Sequence, residues 1–258
     1  MKKCLMGLIW NDPPYVPRPK ATSRSFRSLL SLRTSRSLES PNSFNLQARI
    51  EGRDWPESAF TMIGLARLNN VQYCVEDVIR NGVPGDLIEA GVWRGGASIF
   101  MRGILKAHGI TDRIVWVADS FSGLPPANPD KYPADDGDIH HTIDILRVPL
   151  EEVRSNFATF DLLDDKVQFL KGWFSETLPA APISRLAVLR IDADMYESTL
   201  DALTSVYPKL SVGGYVIIDD YGVLPPCKAA VDDYRAANGI DDTIISVDRC
   251  GVFWKRSS

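Results

Sequence analysis

Two acidic stretches carry the chemistry that is easiest to name in this 258-residue chain: Arg190-Ile191-Asp192-Ala193-Asp194 and Val216-Ile217-Ile218-Asp219-Asp220-Tyr221. Each ends an apolar run with the composition of a buried strand, so the acids collect where the chain leaves a sheet. In the expected strand order these two strands are neighbours, roughly 5 Å apart. Four carboxylates crowded on one rim repel one another and drive protons onto some of their number. A hard divalent ion with a preference for oxygen, Mg2+ or Mn2+, removes that conflict. Asp219 and Asp220 are consecutive, so both can face one ion only if the backbone departs from strand geometry. The competing reading is that one or two of these acids cap the helices that follow.

A second constellation is Glu89-Ala90-Gly91-Val92-Trp93-Arg94-Gly95-Gly96-Ala97-Ser98, at an expected strand-to-helix turn. Its glycines let a ligand approach the backbone at a helix amino terminus. The spacing E-x-G-x-x-x-G is not the G-x-G-x-x-G of a dinucleotide site and resembles the first motif of methyltransferases. Glu89, Gly91, Trp93 and Ser98 are its candidate ligand contacts. Asp119, with Ser120 and Phe121, ends the next strand, where a carboxylate can accept hydrogen bonds from ribose hydroxyls. A nicotinamide nucleoside would use such an acid too, and a turn-capping Asp is the plainer alternative. Gly172-Trp173-Phe174 offers aromatic faces for a base, though a core tryptophan explains it nearly as well. Methyl transfer to a hydroxyl needs in-line positioning and a proton acceptor, for which Asp194 is the candidate base.

The elements that must hold these groups alternate. Apolar residues from Phe60 to Val78 recur at helical spacing after Trp55 and stop at Asn81-Gly82. Strands are expected at Asp86–Val92, Ile114–Phe121, Val167–Phe174, Leu186–Ile191 and Tyr215–Ile218, and helices at Ala97–Ala107, Ser198–Pro208 and Cys227–Ala237. The last two strands, Thr243–Val247 and Gly251–Lys255, are joined too tightly for a parallel crossover and form an antiparallel hairpin. The fold class is therefore α/β: a Rossmann-like, mostly parallel seven-stranded sheet with an antiparallel edge. Residues 123–148 interrupt the alternation after a strand's carboxyl end, where a substrate lid would sit. Within it His140 and His141, and beside the acidic ends Tyr196 and Tyr221, are candidate acceptor contacts. Solvated lid histidines are the plainer reading of the first pair.

A net charge of −4 and 45% hydrophobic residues suit one large domain and give no overall pull toward nucleic acid. Residues 1–45 are locally basic and rich in Pro, Ser and Arg, and are expected to form a mobile or loosely docked arm ahead of a domain at 46–258. Within the arm a short amphipathic helix could span Ser28–Leu32. No apolar run is long enough for a membrane helix, and a cytoplasmic protein with reduced Cys4, Cys74, Cys227 and Cys250 is expected.

From Thr61 onward the chain resembles the macrocin O-methyltransferase family. Four stretches carry the resemblance: Thr61-Met62-Ile63-Gly64 with Arg67-Leu68-Asn69-Asn70, Glu89 to Ser98, Trp116 to Phe121, and Ile218 to Tyr221. The resemblance implies a class I methyltransferase using S-adenosylmethionine, held by Glu89, Gly91, Asp119, Ser120 and Trp173, with Met62 over its methionine end. It implies magnesium on Asp192, Asp219 and Asp220, with Asp192 also near the donor, and Asp194 as base. It further implies a sugar hydroxyl as acceptor and a homodimer or larger homo-oligomer. A catechol methyltransferase shares fold, donor and metal; a nicotinamide oxidoreductase or a binding module without turnover has no use for four rim acids.

Overall fold

Burial on both faces explains why the strands read as nearly unbroken apolar runs. The computed structural model describes residues 1–17 and 43–258. Helix α1 (Lys2–Leu5) and α2 (Leu46–Ile50) precede the long α3 (Leu65–Arg80). The alternation then runs β1 (Asp86–Ala90), α4 (Gly96–Ala107), β2 (Val115–Asp119), α5 (Leu150–Thr159), β3 (Val167–Lys171), α6 (Phe174–Ala180) and β4 (Leu186–Ile191). It closes with α7 (Tyr196–Val206), β5 (Leu210–Ile218), α8 (Pro225–Ala237), β6 (Ile245–Ser246) and β7 (Val252–Lys255). Phe60 and Ile63 lie in the loop before α3, because Gly64 is its N-cap. The expected third strand ends early, at Lys171, because Gly172 turns at φ 143° and Phe174 begins α6.

The strands form one sheet in the order β3-β2-β1-β4-β5-β7-β6, with β7 antiparallel to both its neighbours and the other described pairings parallel. The order reverses between β1 and β4, which opens the crevice in which doubly wound sheets bind ligands. Register then sets the rim. Ala90 pairs with Ala118 and with Ile191, and Ile191 with Ile218. Gly91, Asp119, Asp192 and Asp219 therefore stand in one row at the carboxyl ends of the strands.

The two faces bury different halves of each strand. Leu87, Val117, Val188 and Ile217 pack with α3 and α4, while Ile88, Trp116, Leu189 and Val216 pack with α6, α7 and α8. Part of the amino-terminal segment joins the first of these cores. Leu5 and Met6 are fully buried, and Asp12 accepts hydrogen bonds from the backbone of Ser58 and Ala59 while Arg49 donates to the carbonyls of Met6 and Asp12. Two apolar side chains and one buried acid thus dock residues 1–17, despite the basic composition around them. The helix expected at Ser28–Leu32 lies outside the described residues. No helix among the described residues is long and apolar enough to cross a membrane.

Residues 123–148 hold three short 3-10 turns, at Pro133–Asp135, His140–Thr142 and Asp144–Leu146. Asp135 is fully buried and caps α7, accepting from the backbone N–H of Tyr196 at 2.7 Å and of Glu197 at 3.0 Å. Trp93 Nε1 donates to the Ile145 carbonyl at 2.8 Å, which ties the far end of the segment to the β1–α4 turn.

Candidate active site

Between the strand ends and residues 123–148 lies a cavity of about 320 Å³. Its wall is formed by Gly91, Trp93, Asp119, Ser120, Gly172, Trp173 and Phe174, at or just after β1, β2 and β3, and by Asp192, Asp194, Glu197, Ser198 and Asp201, which follow β4. Gly91 is a required glycine. Its φ is 86°, and a Cβ there would stand 1.7 Å from the Asp192 carbonyl oxygen. That close approach lets the β1–α4 turn and the β4–α7 turn share one wall.

Asp119 accepts from the Val92 N–H at 2.8 Å through one oxygen and from the Phe121 N–H at 2.7 Å through the other. Burial raises its pKa, and these backbone donors pull the other way. Each oxygen keeps a further lone pair, so the carboxylate can fix the turn and still accept hydrogen bonds from a diol. Trp173, 38% exposed, lines the cavity with it.

Asp192, Asp194 and Asp220 each offer an oxygen within 4.8 Å of the other two. Burial, then the charge of Asp192, pushes Asp194 up to about 7, with His140 pulling it down. Asp220 is raised by burial and by Asp192, Asp194 and Asp219, and its Oδ2 is buried with no hydrogen-bond partner among the described residues. A buried carboxylate oxygen left unpaired among other carboxylates is the environment that a divalent cation satisfies, so the residues present fit one.

Asp219 is placed otherwise. It follows Ile217 by two residues, so strand alternation turns it to the α3 and α4 face, while Asp220 turns to the opposite face. Both its oxygens are occupied, one by Arg67 of α3 and one by Arg190. The trio that converges holds Asp194 where Asp219 was expected.

Other expected contacts lie outside the cavity wall. Glu89 and Ser98 lie behind the cavity: Ser98 donates to the Glu89 carboxylate, and Arg190 donates to Glu89 at 2.5 Å. Burial still pushes Glu89 up to about 7, against the pull of Arg190. Phe121 is core, against Phe169. Met62 is half-buried and outside the cavity wall, next to the Phe60 carbonyl that accepts from Gly96 N–H at the start of α4. The hydroxyls of Tyr196 and Tyr221 donate to Asp233 and Asp232 of α8, away from the wall. His140 and His141 do not line it either; His140 Nδ1 is 2.6 Å from Asp138 Oδ2.

Arg67 and Arg190 were not anticipated. A charged residue inside the apolar strand Leu186–Ile191 was the available signal, since a buried arginine demands acidic partners.

A family model described as Macrocin-O-methyltransferase (TylF) matches residues 1–256, so the likeness begins well before Thr61. The chain is similar to Demethyldecarbamoylnovobiocin O-methyltransferase of Streptomyces niveus, 54% identical over 258 residues, covering 100% of this chain and 92% of that protein. It is 57% identical over 211 residues to 8-demethyl-8-(2,3-dimethoxy-alpha-L-rhamnosyl)-tetracenomycin-C 4'-O-methyltransferase of Streptomyces olivaceus, covering 81% of this chain and 80% of the relative. Among solved structures it resembles the O-methyltransferase NovP, with a TM-score of 0.87 and 52% identity over 99% of this chain and 96% of that one.

Proposed function

The chain belongs to the macrocin-O-methyltransferase family and is an O-methyltransferase, and from that premise we propose that it moves a methyl group from S-adenosylmethionine to a sugar hydroxyl on a glycosylated natural product. The sugar is supported by the name of the Streptomyces olivaceus relative, a 4′-O-methyltransferase of a rhamnosyl compound. One observation carries the mechanism: Asp192 and Asp194, which line the same cavity as Asp119 and Trp173, converge with Asp220 within 4.8 Å.

In this reading the Asp119 carboxylate takes the ribose hydroxyls, and Trp173 and Phe174 cover the adenine. Gly91, in the cavity wall, would present its backbone to the methionine end. The acceptor hydroxyl enters from the Ser198 side and attacks the methyl carbon in line. The new C–O bond forms as the C–S bond breaks, S-adenosylhomocysteine leaves, and the hydroxyl proton passes to Asp194. Asp192 and Asp220 would hold Mg2+ or Mn2+, whose charge lowers the pKa of a nearby hydroxyl. Asp194, pushed up to about 7 by burial and by the charge of Asp192, is suited to general-base work. A homodimer or larger assembly accompanies the family resemblance, and sedimentation velocity checks it.

The experiment is transfer of labelled methyl groups to a panel of glycosides, their aglycones and catechols, with and without EDTA. Metal-dependent labelling of glycosides alone is expected. Labelling of catechols instead assigns the phenolic acceptor class, and transfer indifferent to EDTA removes the cation. Asp194→Asn is expected to lower kcat by roughly 10²–10⁴-fold while S-adenosylhomocysteine still binds. Full turnover in that variant takes the base role from Asp194.

A further inference from the structure

Arg190 joins the buried charges behind the rim. Its side chain is 1% exposed, in the middle of the sheet on β4. Nη1 donates to Glu89 at 2.5 Å and to Asp192 Oδ2 at 3.0 Å, while Nη2 donates to Asp219. Each flanking acid has a second anchor. Ser98 donates to the other Glu89 oxygen, and Arg67, whose Nε is 3.2 Å from Asp248, donates to the other oxygen of Asp219. The guanidinium is thus fixed on two sides before it meets Asp192, and Asp192 is the one of its three acids that lines the cavity.

We propose that Arg190 is the positioning residue of the acid cluster: clamped by Glu89 and Asp219, it grips one oxygen of Asp192 and leaves the other aimed at a divalent cation. The inference rests on the cation reading of the cluster. A planar fork fixes both the distance and the plane of a carboxylate, whereas an ammonium group supplies charge at one point. The two roles have opposite signs for cation binding. As a bare charge beside a ligand, Arg190 repels a cation, so retaining the charge without the fork gains nothing by that route and loses the aim.

Arg190→Lys separates them. Mn2+ is titrated calorimetrically into the full-length unmutated protein and into R190K, with S-adenosylhomocysteine binding as a second readout of the intact donor end. R190K is expected to bind Mn2+ about tenfold more weakly or worse, the loss typical of residues that orient metal ligands, with S-adenosylhomocysteine affinity little changed. Equal Mn2+ affinity in a folded R190K overturns the inference while the cation reading stands. No Mn2+ binding by the unmutated protein overturns the cation reading and this inference with it. Should R190K fail to fold by circular dichroism, the guanidinium ¹⁵N signals of the unmutated protein decide: a clamped, slowly rotating guanidinium that shifts on adding Mg2+ is expected, and no arginine signal responding to Mg2+ overturns the inference.

Discussion

Asp194 titrates far from its usual range because it is buried beside Asp192. Its pKa rises from 3.8 to about 7, and that of Glu89 from 4.5 to about 7. In both groups the folded state holds a proton that the unfolded state has released. The burial cost is absent below the unfolded value, grows through the window and is fully present above about 7, so these two acids make the cation-free protein less stable as pH rises. Mg2+ binds only ionised carboxylates, and its stabilising effect is therefore expected to grow across the same window. Thermal unfolding with and without Mg2+ at about pH 5 and about pH 8 checks this, with a gain approaching about 2.7 kcal/mol when Mg2+ is at 100 times its Kd. An equal gain at both values would separate the ion from the raised acids. The acids themselves were legible in the sequence; their division of labour was not. Asp219 and Asp220 differ by one position, and which face each takes depends on a register that only the assembled sheet defines.

At the scale of elements, the segment 123–148 is held by a few point contacts, and Asp135 is the most buried of them. Replacing it by alanine removes the cap from two N–H groups of α7, the helix that carries Glu197, Ser198 and Asp201 into the cavity. Asp135→Ala is expected to cost about 0.5–2 kcal/mol and to speed hydrogen exchange in residues 123–148 while the sheet stays protected. Because the same contact holds the helix on whose side the acceptor is proposed to enter, KM for acceptor is expected to rise more than KM for S-adenosylmethionine. Strands and most helices could be anticipated from apolar runs and glycine punctuation. Helix α6 could not: it is seven residues long, contains Pro179, and follows its strand after only Gly172 and Trp173. Helix α5 was overlooked because Val153 and Phe157 are its only buried residues, too few for a clear periodic signal.

The molecule as a whole uses its amino terminus as core material. Leu5→Ala is expected to lower stability by about 2–5 kcal/mol, measured by urea unfolding, although Leu5 is far in sequence from the α3 and α4 face that it joins. Basic neighbours concealed this, since composition over forty residues outweighs two buried side chains. The strand order carries one more consequence. β5, which leads into Asp219 and Asp220, gains its second neighbour only when β7 is in place, and β7 is made after α8 and β6. A nascent or truncated chain that stops short of Val252 therefore offers an apolar, unpaired β5 edge to other chains, and self-association, rather than a merely idle enzyme, is the expected fate of such a fragment.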